Sequence, residues 1–138
     1  MGYQFEELEI GMESSFSKVI TEHDIAGFAE ISGDTNPLHL DEAFAANTRF
    51  KTRIAHGMLT ASLISAVIGT ALPGDTSIYV SQSLNFKAPV RIGDMVTAIA
   101  VITALDPERR IATLSTVCRT AERNVIEGEA RIMVPAPA

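Results

Sequence analysis

The spacing of hydrophobic residues is helical in the first half of the chain and alternating in the second. Thr21 is predicted to cap a first helix, with Asp24 three residues later as a weak form of the capping box. Gly33 is the predicted stop, since the Asn36-Pro37 turn that follows cannot continue a helix. The apolar face of this helix is predicted from four residues at helical spacing: Ile25, Phe28, Ala29 and Ile31.

Two more helical segments are predicted before the spacing changes. A short one covers Asp41 to Asn47, and an irregular, charged segment follows from Thr48 to Ile54. The run from Gly57 to Leu72 is 16 residues long and apolar on nearly every side. We therefore expect this helix to be covered on nearly every side.

Beyond Gly74 the pattern is that of antiparallel strands. A short strand closing at Lys18 to Ile20 precedes the helices, and four longer strands are predicted after them: Ser77 to Lys87, Asp94 to Leu105, Ile111 to Thr120 and Val125 to Val134. Helices followed by a run of strands indicate the α+β class. The simplest packing is a curved antiparallel sheet wrapped around the one apolar helix.

Length and composition narrow the class of protein. The chain has 138 residues, which suits a single domain spanning residues 1–138. Apolar residues make up 46% and charged residues 20%, as in ordinary globular proteins, so a disordered chain is excluded. The net charge is −6 and no basic cluster is present, which argues against a nucleic-acid partner.

The cysteine content limits the kinds of site that the chain can form, and the lack of targeting signals in the sequence bears on its location. The single Cys118 excludes an intrachain disulfide and a multi-cysteine zinc site. The segment from Met1 to Glu9 is polar and acidic, unlike a signal peptide. The apolar run is shorter than the roughly 20 residues that cross a bilayer. We expect a soluble, cytoplasmic protein with no membrane partner.

Candidate chemistry is densest between Ser32 and His39. Asp34 and His39 are five residues apart across a Gly33 and Pro37 turn, so a carboxylate and an imidazole can meet there. Such a pair can move protons to and from water and carbon. The alternative is that Asp34 caps a turn and His39 is an ordinary loop histidine, and spacing alone favours that alternative.

A second candidate is the start of the apolar helix at His56-Gly57-Met58. A helix N-terminus exposes unpaired backbone N–H groups, and Gly57 leaves them open to a carbonyl oxygen. The alternative, a small residue needed for packing, is favoured when this segment is considered alone. Ser62 and Ser65 are interpreted as core hydroxyls and Cys118 as a buried thiol.

The segment from Phe28 to Ala45, FAEISGDTNPLHLDEAFA, resembles the signature of the MaoC-like (R)-specific enoyl-CoA hydratases. That signature has an aromatic residue, a short apolar stretch and a small residue before Gly-Asp-x-Asn-Pro-apolar-His, then a small residue six positions later. The similarity continues through three further segments: Ile54 to Leu59, Ile78 to Leu84 and Phe86 to Val90. The chain is most similar to the short bacterial members linked to polyhydroxyalkanoate synthesis and fatty acid metabolism.

The resemblance implies a hot-dog homodimer that reversibly adds water to a trans-2-enoyl-CoA, giving an (R)-3-hydroxyacyl-CoA. It implies that Asp34 and His39 activate the water and move the proton to C2, that Asn36 supports them, and that the Gly57 N–H receives the thioester oxygen. No metal or redox cofactor is implied. The residues expected to bind the acyl chain are Met58, Ser65 and Ile68.

Three other activities are weighed against this one. A hot-dog thioesterase would need a carboxylate on the apolar helix, and Gly57 to Leu72 contains no Asp or Glu. A non-catalytic acyl-CoA-binding module would need neither Asp34 nor His39. A 3-hydroxyacyl thioester dehydratase acting on acyl-carrier-protein substrates is not separated from a CoA enzyme by the sequence.

Overall fold

A six-stranded antiparallel sheet packs against one long helix in the computed structural model, which describes residues 2–138. The helices are α1 (Glu22–Ser32), α2 (Pro37–Leu40), α3 (Glu42–Ala46) and α4 (Gly57–Thr70), after a single 3-10 turn at Phe5–Glu7. The strands are β1 (Glu13–Val19), β2 (Ile78–Gln82), β3 (Asn85–Phe86), β4 (Met95–Asp106), β5 (Ile111–Arg119) and β6 (Asn124–Met133).

The strand order is β1-β4-β5-β6-β2, and β3 also pairs with β6. Every strand pair is antiparallel. The long helix α4 packs on β1, β4 and β5. These contacts confirm the predicted α+β class, with an antiparallel sheet packed on a central helix.

Helix α1 begins and ends as its sequence predicts. The Asp24 N–H donates to Thr21 Oγ1 at 3.1 Å and the Thr21 N–H donates to Asp24 Oδ2 at 2.9 Å, which completes the capping box. Gly33 ends the helix with φ +82°, a conformation that glycine adopts without strain. The apolar face was predicted too wide. Ala29 is buried, but Ile31 is 85% exposed because two residues along a helix place it on the opposite side.

One short helix was not predicted, and one predicted strand is not continuous. The Asn36-Pro37 turn opens a one-turn helix, α2, since proline is accommodated as the first helical residue and Asn36 caps it. The strand predicted over Ser77 to Lys87 is interrupted between β2 and β3. There the Ser83 carbonyl lies so close to Gly128 of β6 that a Cβ on that glycine would be 1.9 Å from the oxygen.

The core lies between α4 and the sheet, and α4 is less enclosed than predicted. The β4 face that was predicted to point inward is buried in full: Val96, Ala98, Ala100 and Ile102. One stripe of α4 remains exposed in the chain: Met58, Ser62, Ser65 and Gly69. Ser62 and Ser65 are therefore not core hydroxyls. Among residues 2–138, no helix has the length and apolar character needed to cross a membrane.

Candidate active site

Asp34 lies in the tight connection between α1 and α2. The Ser32 Oγ accepts a hydrogen bond from the Asp34 N–H at 3.1 Å, and Asp34 Oδ1 accepts one from the Asn36 N–H at 3.2 Å. Asn36 Oδ1 in turn accepts from the Leu38 N–H at 3.0 Å and so caps α2. This succession of short-range bonds fixes the exposed Asp34 carboxylate relative to the helix that carries His39. Asn36, predicted to support the pair, is thus a link in the loop.

His39 is buried, and its hydrogen bond defines its tautomer. Its Nδ1 lies 2.8 Å from the Ile54 carbonyl oxygen. A carbonyl can only accept, so Nδ1 carries the proton of the neutral ring and Nε2 keeps its lone pair. That lone pair can accept a proton from water, as a general base does. The predicted catalytic histidine is therefore held in a form suited to that role.

His56 is a second buried histidine, which the sequence did not single out for its side chain. Its Nε2–H donates to the Asp34 carbonyl oxygen at 3.0 Å, and the ring is 2% exposed. The ring centroids of His56 and His39 are 4.0 Å apart, and Phe28 lies 4.8 Å from His56. His56 precedes α4 at the N-cap position but makes no capping bond. An N-cap residue outside the usual Ser, Thr, Asp and Asn set is the signal that could have identified it.

The two predicted catalytic residues meet in space. One ligand atom from each of Asp34, His39 and His56 lies within 4.8 Å of the other two. A single water can bridge polar groups at this separation. The two imidazole rings are stacked, with centroids 4.0 Å apart and 31° between their planes.

Gly57 begins α4 directly beside this cluster. No side chain caps this helix end, so its first N–H groups stay available to an acceptor. The Phe86 ring lies over Gly57, and a Cβ there would approach its Cε1 to 2.7 Å and its Cδ1 to 2.8 Å. Phe86 is itself 53% exposed. The sequence predicted the open helix end, but it gave no signal for the aromatic ring that covers it.

A cavity of about 340 Å³ reaches the site at Gly57. Its wall is formed by the segment before α4, the first turn of α4, the segment around β3 and the start of β6. Most of its lining is apolar: Phe50, Ile54, Ala55, Gly57, Phe86, Ala88, Pro89, Val90, Val125 and Ile126. Asp34 and His39 are not in this wall. Gly57 is thus the predicted catalytic residue that the cavity touches.

The three residues predicted to bind the acyl chain lie elsewhere. Met58 is 56% exposed, and Ser65 follows it two turns along the same exposed stripe of α4. Ile68 is 1% exposed and belongs to the core. None of the three lines the cavity beside Gly57. Their role in acyl binding stays a prediction.

Two ion pairs of Arg53, called here the charged clamp, hold the segment that leads into α4. Arg53 bonds Glu22 of α1 at 2.8 Å and Glu42 of α3 at 3.0 Å. The hydrogen bond that Arg53 donates to Glu22 is the main reason that the pKa of Arg53 is raised. The hydrogen bond from Thr52 is the main cause of a lowered pKa at Glu42. The clamp lies one residue from the Ile54 carbonyl that holds His39.

Cys118 of β5 is buried, as predicted, and burial raises its pKa to about 12. Its Sγ donates a long bond to the Thr60 carbonyl at 3.7 Å. At neutral pH the thiol is protonated and shielded from solvent. It has neither the ionisation nor the access that a nucleophile requires.

The chain matches one protein family over most of its length, and it has relatives of more than 50% sequence identity. The model of the family described as "MaoC like domain" matches residues 6–125. An (R)-specific enoyl-CoA hydratase of Rhodospirillum rubrum is 57% identical over 134 residues, which cover 97% of this chain and 93% of that protein. A 3-hydroxybutyryl-CoA dehydratase of Methylorubrum extorquens is 54% identical, over 95% of this chain and 83% of the relative.

Solved structures give the same result for the fold. The (R)-hydratase of A. caviae, described as involved in PHA biosynthesis, superposes with a TM-score of 0.91. The two chains are 48% identical, and the match covers 94% of this chain and 99% of that one. The hot-dog architecture expected from the sequence is thereby confirmed.

Proposed function

Because this chain belongs to the MaoC-like domain family, we propose that it catalyses the reversible hydration of a trans-2-enoyl-CoA to an (R)-3-hydroxyacyl-CoA. It is an enzyme of the hydro-lyase class, as its high-identity relatives are. The single observation that carries the proposal beyond the family likeness is the state of His39. Its Nδ1–H is bonded to a carbonyl, so Nε2 keeps a lone pair, and a ring nitrogen of His39 lies within 4.8 Å of an Asp34 carboxylate oxygen.

The proposed mechanism uses Asp34 and His39 on one water. Both groups accept hydrogen bonds from that water, and one of them takes a proton as the oxygen forms a bond to C3. The π electrons of the C2–C3 bond move onto the thioester oxygen as an enolate. The enolate then collapses as C2 takes the proton from the pair, so that one water is added in total. Two placed proton carriers are needed because water is a weak nucleophile and C2 a weak base.

Gly57 supplies the complementary part of this mechanism. Negative charge develops on the thioester oxygen during the addition, and the uncapped N-terminus of α4 can stabilise it there. The stabilisation is stronger in the transition state than in the bound substrate, so it accelerates the reaction. For the oxygen to reach the Gly57 N–H, the Phe86 ring that covers this residue has to leave room for the thioester.

The proposal is tested with crotonyl-CoA, by following the loss of enoyl absorbance and then the chirality of the product. We expect Asp34→Asn and His39→Ala each to lower kcat by about 10²–10⁴-fold. The double variant should be little worse than the worse single one, since both residues act on the same water. A folded single variant that keeps most of its activity, or losses that multiply, would contradict the shared-water mechanism.

The same assay separates the alternatives. Release of free CoA would identify a thioesterase, and tight binding without turnover would identify a binding module. Strong preference for a crotonyl carrier protein over crotonyl-CoA would identify a carrier-dependent dehydratase. An (S)-configured product would contradict the proposed stereochemistry.

We also propose that the protein acts as a homodimer. Strand β2 is at the end of the strand order, and its apolar residues are open to solvent, with Ile78 52%, Tyr79 41% and Val80 46% exposed. The exposed stripe of α4 is a second surface that a matching copy would cover. A twofold interface pairs like surfaces, and strand pairing would satisfy the unpaired edge.

Light scattering tests the dimer and the edge that forms it. The wild type should have twice the chain mass of 14.8 kDa. Val80→Arg on β2 should lower this mass toward that of one chain, whereas Phe16→Arg on β1, the opposite edge, should not. A single-chain mass for the wild type at micromolar concentration, or equal effects of the two variants, would contradict the proposal.

A further inference from the structure

The cavity beside Gly57 carries positive charge and no negative charge in its wall. Arg49 and Lys87 both line it, and no Asp or Glu does. The chain as a whole has 17 acidic and 11 basic residues, so an acid-free wall with two cations departs from the average surface. The rest of the lining is mainly apolar.

Arg49 and Lys87 lie on separate segments whose backbones are held in place. The Lys87 N–H donates to the Val125 carbonyl at 2.8 Å, and beside Arg49 the Phe50 carbonyl accepts a bond from Arg91 at 2.8 Å. Within residues 2–138, the side chains of Arg49 and Lys87 make no ion pair. The Arg49 guanidinium stays over the Phe50 ring, 4.9 Å from its centroid. Both charged groups are exposed and available to a ligand.

Three other cations are ion-paired within the described residues. Lys18 pairs with Asp24 at 3.0 Å, Arg53 pairs with two glutamates, and Arg110 pairs with Glu6. Arg109, in the turn after β4, is exposed and unpaired within the described residues, but it does not line the cavity. Exposure alone therefore does not distinguish the two cavity cations, whereas their position does.

We propose that Arg49 and Lys87 bind the phosphate groups of CoA when the thioester lies at Gly57. This inference rests on the proposed function and names the part of the substrate that the two residues recognise. A guanidinium and an ammonium form charge-assisted hydrogen bonds with phosphate oxygens, and their long side chains extend the reach of the cavity wall. The apolar lining of the same cavity suits the less polar arm that joins the phosphates to the thioester.

The test compares two thioesters that differ in their phosphates. Crotonyl-CoA carries them and crotonyl-pantetheine does not. The double variant Arg49→Gln, Lys87→Gln should raise the KM for crotonyl-CoA by about tenfold or more, while kcat changes less than threefold. Its KM for crotonyl-pantetheine should stay within twofold of the wild-type value. Added salt should raise the wild-type KM for crotonyl-CoA, and should raise that of the double variant less.

Arg109→Gln is the matched control, since it removes an exposed cation outside the cavity and should alter neither KM. Equal increases of KM for the two thioesters would overturn the inference, because Arg49 and Lys87 would then affect the shape of the cavity and not bind phosphate. An unchanged KM for crotonyl-CoA would overturn it as well. These outcomes leave hydration intact, so they are distinguishable from failure of the proposed function, in which neither thioester is hydrated.

Calorimetry with CoA itself provides a readout that does not depend on turnover. The wild type should bind CoA more tightly than pantetheine, and the double variant should lose that difference. Equal wild-type affinity for CoA and pantetheine, or no binding of CoA, would overturn the inference.

Discussion

Two substitutions of His56, by Gln and by Asn, are expected to keep and to remove its hydrogen bond to the Asp34 carbonyl. The Gln side chain places its amide nitrogen where imidazole has Nε2, and the Asn side chain reaches only as far as Nδ1. His56→Gln therefore retains a donor to Asp34, and His56→Asn loses it. Both substitutions remove the ring that stacks on His39 at 4.0 Å, so that change is common to the pair.

The two variants should differ little in unfolding free energy and more in kcat, because Asp34 is exposed whereas His56 is buried. One hydrogen bond contributes about 0.5–1.5 kcal/mol to stability. Asp34 is exposed, so water can replace the donor at its carbonyl, and the two variants should differ in unfolding free energy by no more than this range. Catalysis is more sensitive, because a displacement of about 1 Å in a catalytic group can lower the rate by ~10²-fold. We expect His56→Asn to have a kcat lower than that of His56→Gln by about 10-fold to 10²-fold.

The assay is the initial rate of crotonyl-CoA hydration over a range of concentrations, together with thermal unfolding of each variant. KM should be similar in the two variants, since His56 acts on the Asp34 loop and does not line the cavity. Equal kcat values for the Asn and Gln variants would refute the reasoning, because the ring itself and not its N–H would then matter. A wild-type kcat in His56→Asn would refute it as well.

Three other outcomes are expected. Gly57→Val should lower kcat by about 10²-fold, because its side chain would crowd the thioester oxygen at the position 57 N–H, which the variant still carries. Adding Phe86→Ala should relieve the clash with the ring without restoring kcat; recovery of kcat would show that the loss came from the clash with Phe86 and not from a blocked donor. Gly128→Ala should lower the free energy of unfolding by about 1–3 kcal/mol, because its Cβ would lie 1.9 Å from the Ser83 carbonyl oxygen, and chemical denaturation measures this. Cys118, with its pKa raised to about 12, should stay unreactive toward a disulfide reagent at pH 8 until the protein is denatured; rapid labelling of the native protein would contradict its burial.

The parts of the fold that the sequence predicted are those determined by local chemistry. The capping box at Thr21, the stop at Gly33 and the inward face of β4 each depend on residues within a few positions of one another. The interruption between β2 and β3 lies where Ser83 approaches Gly128, which is distant in sequence, so the alternating pattern of Ser77 to Lys87 contained no sign of it.

In the candidate site too, the residues that the sequence predicted are those that local pattern identifies. Asp34, His39 and Gly57 were identified because their residue types and spacing indicate chemistry. His56 and Phe86 act through contacts with distant segments, which no local pattern records. The exposed stripe of α4 was missed for a different reason. Its residues are small or apolar, so composition alone predicted that the chain itself would cover them.

Both histidines of the site are anchored by main-chain oxygens, one from Ile54 and one from Asp34. Every amino acid presents the same carbonyl, so position 54 can vary in sequence while the anchor of His39 persists. Asp34 also combines two separable tasks, because Asp34→Asn changes its carboxylate and leaves the carbonyl that receives His56. A scan of side-chain substitutions would therefore detect the proton-transfer role of Asp34 and miss its scaffolding role. Replacing the peptide bond after Asp34 or Ile54 by an ester, whose carbonyl is a weaker acceptor, is the change that would reveal these anchors.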